Sequence, residues 1–331
     1  MVIRLVVVVG LGLAGCRGPV ALLRAPAVPE CRSLLGAPLY PPALSEERLR
    51  ERTELLAAAE LALAADPSRE AAAIWVGRRL AYLGRYRAAA DAFTRALATH
   101  PASYRLLRHR GHRYITLREF ARAEADLTHA WQLAQSHGNE VEPDGLPTPG
   151  VPPRSTDHGN ILYHLALAKY LQGDFAGATR VWSLDLERAT NDDTRVACAY
   201  WLYLSARRAG DAGGAHHPAG LADTAARALA AVRSPAEGGM DVRENATYWH
   251  LCLVFKGALD PATLAAADGP LGLGVDKATL EYGLSMNDLL RGDAAAARVR
   301  WTRIVSETDW PAFGHVAAEA ELARIGRAAP P

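Results

Sequence analysis

A pattern of small, bulky and turn-forming residues recurs at intervals of 34 positions in the first half of the chain. The pairs related by this interval are Pro67 and Pro101, Gly77 and Gly111, Tyr86 and Phe120, Ala89 and Ala123, Phe93 and Leu127, and Ala96 and Ala130. A period of this length is typical of a unit of two helices, in which small residues let the helices approach and bulky residues fill the remaining space. Each unit leaves an apolar face that only a neighbouring unit can cover. The spacing therefore predicts an all-α array of stacked helical hairpins.

The composition favours helices and gives no electrostatic reason to expect a nucleic-acid partner. Alanine and arginine are abundant and are strong helix formers, whereas β-branched residues are sparse after the first ten positions. The 37 lysines and arginines nearly balance the 36 aspartates and glutamates. We therefore expect a helical protein without a global field that would attract a polyanion.

The repeat resembles the tetratricopeptide repeat (TPR), most closely in the unit that begins at Glu70. Weaker copies follow, with Ala166, Gly173, Phe175, Ala178 and Trp182 in a third unit near Gly159, and Leu284, Ser285, Gly292, Ala297 and Trp301 in the last unit. The resemblance implies a TPR-type α-solenoid of about five to six units, with N-terminal units at residues 45–137 and C-terminal TPR-like units at residues 159–327. We expect residues 311–326 to form a closing helix whose polar side chains face solvent.

A stretch rich in proline and glycine, residues 138–158, separates the second unit from the third. Loops of this length inside a compact array are usually functional or disordered. The stretch is therefore a candidate for a functional insertion.

The first sixteen residues, MVIRLVVVVGLGLAGC, have the composition of a secretion signal. Arg4 precedes an apolar stretch at residues 5–13, which is shorter than the roughly 20 residues of a membrane-spanning helix. The ending LAGC resembles the lipobox of bacterial lipoproteins, which implies a signal peptide at residues 1–15 and lipidation of Cys16. Because Arg17 rather than aspartate follows, the resemblance favours the periplasmic face of the outer membrane over the inner membrane.

Residues 16–44 include six prolines and show little periodicity. We expect them to form an extended tether, which at about 3.1 Å per residue would give the folded domain a reach of roughly 90 Å. A helix is predicted to begin after Ser45, because serine followed by Glu46 and Glu47 is a favourable helix start.

The resemblance also indicates which side chains would line the concave groove, because the first helix of each TPR unit faces inward. The predicted partner-binding residues are Arg78, Tyr82, Arg105, Arg108, His112, Asn160, Tyr163 and Tyr170. Arginines bind carboxylates through paired hydrogen bonds, and tyrosines add rigid contact area. The lysine and asparagine that clamp a terminal carboxylate in some family members are absent from the matching positions. We therefore predict an acidic segment of a partner protein without assigning that specific ligand.

The sequence contains no recognisable catalytic or cofactor-binding motif, so we expect neither catalysis nor a cofactor. His109 and His112 have a spacing that can ligate a metal, but the arginines beside them would repel a cation. We therefore predict no metal site. Beyond Cys16 three cysteines remain, Cys31, Cys198 and Cys252, and the sequence leaves open whether any disulfide forms.

Two functions from different classes fit these features. The first is a membrane-anchored adaptor of the bacterial cell envelope that binds an envelope protein or peptide segment in its groove. The alternative is a lipoprotein that captures a glycan or small molecule, with the long insertion, Tyr163, Tyr170 and Tyr200 as its site. In both cases the membrane is reached through the lipid anchor.

Overall fold

The computed structural model describes residues 28–143, 152–211, 220–265 and 275–328, and the predicted signal peptide and Cys16 lie outside these ranges. The described chain is almost entirely helical, as predicted. Its helices are α1 (Glu46–Ala65), α2 (Glu70–Tyr82), α3 (Tyr86–Thr99), α4 (Tyr104–Thr116), α5 (Phe120–Ala134), α6 (Asp157–Gln172), α7 (Phe175–Glu187), α8 (Asp192–Asp211), α9 (Leu221–Ala230), α10 (Ala246–Phe255), α11 (Pro261–Ala265), α12 (Val275–Leu290), α13 (Ala294–Glu307) and α14 (Phe313–Ala328), with a 3-10 turn at Pro235–Glu237. The strands β1 (Cys31–Arg32) and β2 (Pro38–Leu39) form a small antiparallel hairpin.

The helices pack as successive hairpins, α2 with α3, α4 with α5, α6 with α7, α8 with α9 and α12 with α13. The even-numbered helices from α2 to α14 also pack each on the next, so they form an inner layer, with α10 placed between α8 and α12. This arrangement confirms the predicted all-α solenoid. The starts of α4 and α6 follow local signals, since the side chains of Ser103 and Thr156 accept hydrogen bonds from the backbone three residues later.

Contacts between small and bulky side chains explain the repeat spacing. A Cβ atom added to Gly77 would lie 2.2 Å from the ring of Phe93, and one added to Gly111 would lie 2.6 Å from Leu127. Glycine therefore lets the two helices of each unit touch. Gly84 has a φ of +74°, and Pro41 packs closely against it. A side chain there would meet both backbone strain and a clash.

The predicted tether at residues 16–44 is wrong for its described part, because residues 28–44 bind to the array. The carboxylate of Glu30 accepts a hydrogen bond from the backbone N–H of Arg87 at 2.8 Å. The carbonyl of Tyr40 accepts one from the indole of Trp310 at 2.6 Å, and the N–H of Leu34 donates to Glu319 at 3.1 Å. Residues 28–44 are therefore hydrogen-bonded to the helices and lie along the surface of the array.

The closing helix α14 lies where it was predicted, but the expectation that its polar residues face solvent is wrong. Glu319 and Glu321 are 1% and 2% exposed and form ion pairs with Arg118 and Arg208 at 2.7 and 2.6 Å. The helix packs against α6 as well as α12 and α13. The inner layer from α6 to α14 therefore closes on itself. Large aromatic side chains fill the space that it encloses, among them Tyr170, Trp182, Trp201 and Tyr282.

The described cysteines Cys31, Cys198 and Cys252 are free thiols, so no disulfide joins them. No helix within the described ranges is long and apolar enough to span a membrane.

Candidate functional site

An arginine-lined groove lies on the inner layer of the N-terminal units, across α2, α4 and α6. It consists of two adjoining pockets of about 250 and 360 Å3, which share Arg78, Arg108 and His109. Six of the eight residues predicted for the site line these pockets: Arg78, Tyr82, Arg105, Arg108, His112 and Asn160. Arg105 and Arg108 lie three positions apart on α4, which places both on the same face of that helix. The predicted groove residues of the first two units are thus brought together.

The centre of the groove is occupied by the carboxylate of Glu142, which comes from the long insertion. Its oxygens lie 3.2 Å from Nη2 of Arg108 and 3.6 Å from Nη1 of Arg78. The side-chain amide of Asn160 donates to the same carboxylate at 2.9 Å. Glu142 is 9% exposed, so these charges interact in a largely water-free environment.

The residues around Glu142 run through the groove as an extended strand. Val141 forms an isolated antiparallel bridge with Thr156, flanked by hydrogen bonds of 2.9 Å from the N–H of Glu142 to Ser155 and from the N–H of Asp157 to Glu140. The carbonyl of Pro143 accepts a hydrogen bond from Nη1 of Arg78 at 2.8 Å. The described part of the insertion is therefore bound to the array.

A second carboxylate of this strand meets the outer arginine of the groove. Nη2 of Arg105 donates to Glu140 at 2.8 Å, and Nε of Arg105 donates to Asp157 at 3.0 Å. The side chain of Glu140 is 73% exposed, whereas that of Asp157 is buried. Asp157 therefore belongs to the framework that holds Arg105, and Glu140 is a peripheral contact.

The helices that form the groove do not supply a carboxylate partner for every arginine in it. Arg113 lines the same pocket as Arg108, its guanidinium carbon lies 5.6 Å from the ring centre of Tyr86, and no carboxylate among the described residues forms an ion pair with it. Burial lowers the pKa of Arg113 to about 10, which still leaves it charged at neutral pH. Nε of Arg108 is buried without a hydrogen-bond partner. Such a site favours a bound anion, because a buried cation is stable only when it is paired.

The histidines of the groove are neutral hydrogen-bonding and packing groups. Burial and the neighbouring arginines hold the pKa values of His109 and His112 well below the ordinary range. Nδ1 of His109 lies 2.8 Å from Nη1 of Arg108, and His112 packs 4.2 Å from the ring centre of His164. The described residues contain no cluster of three or more potential metal ligands.

The remaining predicted tyrosines lie outside the groove. Tyr170 is fully buried and bonds Tyr282 at 2.7 Å, so its assignment to a partner-binding surface is wrong. The hydroxyl of Tyr163 bonds Tyr248 at 2.9 Å, and Tyr163 lines an adjacent cavity that shares Asn160 with the groove. Tyr200 is fully buried, which removes it from the alternative glycan site. Tyr170 and Tyr200 are core residues because the array closes over them.

Sequence reasoning missed Arg113, Glu140 and Glu142. Arg113 follows the inward-facing His112 and differs in no visible way from the other arginines of α4. The two glutamates did carry a signal, since they alternate along an extended stretch and precede Pro143. A segment of alternating carboxylates beside a groove of arginines could have suggested the contact.

Helical hairpins in which glycine meets a bulky side chain of the partner helix, with an inner layer of first helices, define the architecture. Its fold is of the tetratricopeptide-repeat type. No protein-family model matches the sequence, and no curated protein matches it. A tetratricopeptide repeat protein from Parabacteroides merdae has a TM-score of 0.45 and 14% identity, covering 83% of this chain and 98% of that chain. The TPR domain of P58(IPK) has a TM-score of 0.26 and 12% identity, covering 86% and 99% respectively. Both TM-scores are below 0.5, and it is the packing of the helical hairpins in this chain that defines its fold.

Proposed function

We propose that this TPR-type protein is a binding adaptor of the bacterial cell envelope. Its arginine-lined groove would hold an acidic segment of a partner protein, and a lipid on Cys16 would keep it at the membrane. The observation that supports groove binding most strongly is that Arg78 and Arg108, whose side chains are 11% and 10% exposed, already bind a carboxylate, that of Glu142.

The groove has the chemistry of a peptide-binding site. It offers guanidinium groups for carboxylates, the aromatic surface of Trp75 and Tyr82, and backbone groups at residues 155 and 157 that already bond an extended segment. Arginine is suited to this work because its planar fork fits a carboxylate with two hydrogen bonds. Aromatic anchors beside arginines are common where binding energy is concentrated.

Removal of one groove charge tests the proposal. The Arg105 side chain is 36% exposed, and Arg105→Gln removes its charge while keeping an amide that can donate a hydrogen bond to the buried Asp157. The matched control is Arg298→Gln, which removes the same charge from an exposed position of α13. We expect Arg105→Gln to retain less of its partner from cell-envelope extracts than the control and the wild type do. Equal retention by all three proteins would exclude the groove as the binding site.

The anchor is tested separately by Cys16→Ser. Without a thiol no acyl chain can be attached, and we expect the protein to leave the membrane fraction. A variant that stays with the membrane after a high-salt wash would contradict lipid anchoring and leave the groove proposal untouched.

A further inference from the structure

We propose that the groove recognises an extended segment with carboxylates at alternate positions, and that residues 139–143 are a resident copy of that ligand. The partner would then have to displace the chain's own Glu-Val-Glu-Pro sequence. This inference rests on the proposed function, and it adds the class of partner motif and the way in which access is controlled.

The geometry of the resident strand matches the spacing of the arginines. Alternate residues of a strand lie on the same face, about 7 Å apart. Arg105 and Arg108, three residues apart on a helix, have Cβ atoms separated by roughly 5 to 6 Å. Glu140 pairs with Arg105 and Glu142 pairs with Arg108, and Arg78 of α2 is a second partner of Glu142.

The backbone contacts of the strand are also those of a bound peptide. Its two hydrogen bonds to residues 155 and 157 are made along one edge, as when a peptide adds to an exposed strand. Arg78 binds the carbonyl of Pro143 as well as the carboxylate of Glu142. These contacts use only backbone groups and a glutamate side chain, so a separate peptide could make the same ones.

The inner arginines of the groove have a carboxylate partner only when the resident strand is present. Among the described residues, Arg78 and Arg108 form ion pairs with Glu142 alone, and Arg113 forms none. Arg105 pairs with Asp157 of the framework and with Glu140 of the strand. The framework is thus complementary to a segment whose carboxylates take the places of Glu140 and Glu142.

Exchange of the resident strand for a partner needs little disruption. Val141 is 54% exposed and Glu140 is largely in solvent, so Glu142 is the principal anchor. A partner carboxylate would replace that of Glu142 directly. The buried arginines would stay paired, which avoids the large cost of an uncompensated charge.

The test uses the resident sequence as a free peptide. A fluorescently labelled peptide GNEVEPD, with the sequence of residues 138–144, is titrated with the full chain and with the double variant Glu140→Gln, Glu142→Gln. We expect the double variant to bind the peptide at least 10-fold more tightly, because an occupied groove weakens apparent affinity by the fraction that is open. The peptide GNQVQPD, without its carboxylates, should bind neither protein.

A second experiment, a reversible disulfide lock that holds the strand in the groove, keeps the test valid if the double variant folds poorly. Val141 and Thr156 form a pair without hydrogen bonds between them, the geometry in which side chains of neighbouring strands are closest. In Val141→Cys, Thr156→Cys, we expect the oxidised protein to lose peptide binding and the reduced protein to regain it. Both states share the same sequence, so any loss of the Thr156 helix cap cancels.

The outcomes separate the two proposals. Equal peptide affinity of the wild type and the double variant, or of the oxidised and reduced lock, would overturn the resident-ligand inference and leave acidic-peptide binding standing. Failure of the double variant and of the reduced lock to bind GNEVEPD would overturn the proposed function as well.

Discussion

Removal of the Glu319 carboxylate is the strongest available test of how the array closes. This carboxylate accepts hydrogen bonds from Nε and Nη2 of Arg118 at 3.1 and 2.7 Å, from the N–H of Leu34 at 3.1 Å, and it lies 3.0 Å from Nε2 of His315. It therefore joins the second repeat unit, the N-terminal hairpin and α14. Glu319→Gln keeps the shape of the side chain and removes its charge.

The expected loss follows from the pKa of Glu319. Its hydrogen bonds and the Arg118 charge outweigh burial and lower the pKa from 4.5 to about 2. A shift of this size corresponds to about 3 kcal/mol of stability, since one pKa unit is about 1.4 kcal/mol. Because the folded-state pKa is depressed, this stability is present above pH 4.5 and is lost as the pH falls towards 2. Breaking a buried ion pair costs a similar amount, about 3 to 5 kcal/mol.

The assay is urea unfolding of the wild type and of Glu319→Gln at several pH values between 7 and 2, with circular dichroism as the readout. We expect the variant to be less stable by about 3 kcal/mol at pH 7 and to approach the wild type at pH 2. The control Glu119→Gln breaks an exposed pair with Arg122 and should cost less than about 1 kcal/mol. A Glu319→Gln variant that unfolds like this control at every pH would refute closure through this ion pair.

Two further predictions concern packing and a buried acid. In thermal unfolding, Gly77→Ala should destabilise the protein by about 1 to 3 kcal/mol, because the added methyl group overlaps the ring of Phe93. The control Gly326→Ala adds a methyl group in open space, so it should be neutral or slightly stabilising. Burial raises the pKa of Asp185 to about 7, although a hydrogen bond from Cys198 lowers it somewhat. The folded protein therefore loses stability as the pH rises from about 4 to beyond 7, and Asp185→Asn should remove this loss. We expect the urea stability of that variant relative to wild type to increase by about 4 kcal/mol between pH 4 and pH 8; an unchanged difference would show that Asp185 ionises as freely when folded as when unfolded.

The helices that carry the groove could be predicted from the sequence because the repeat fixes their orientation. Gly77 and Gly111 must face the second helix of their own unit, and this requirement turns Arg78 and Arg108 towards the inner layer. Local capping residues then set where α4 and α6 begin. The predicted inward residues of the first two units accordingly line the groove.

The closure of the array could not be predicted from the same pattern. Arg118 occupies the turn position that holds Gly84 in the first unit, and it has a φ of +65°. Its partner Glu319 lies 201 positions away, and the bond from Tyr170 to Tyr282 spans 112 positions. Such contacts depend on small rotations that accumulate from unit to unit, and the residue types within one unit do not specify them. This is why Tyr170 was assigned to the groove when it belongs to the core.

The occupied groove was hidden for a different reason. Glutamates in a proline-rich insertion usually remain in solvent, and the alternation of Glu140 and Glu142 indicates a contact only once the arginine groove beside them is known. Its burial also changes how the groove should be tested. Arg108 is 8% exposed and paired with Glu142, so its removal would combine loss of binding with loss of stability. Arg105 lies at the rim, where Arg105→Gln removes the charge and keeps a donor for Asp157, so the two effects are better separated there.

Site-specific photo-crosslinking in intact cells tests the central claim most directly. A photoreactive phenylalanine derivative replaces Trp75, which lines the groove, and in a second protein it replaces Leu61, which is 72% exposed on α1 outside the groove. Mass spectrometry then identifies the partner segments joined at each position. We predict that the Trp75 position captures segments with carboxylates at alternate residues and that the Leu61 position does not. Identical segments at both positions, or segments without acidic residues at Trp75, would contradict an acidic-peptide groove.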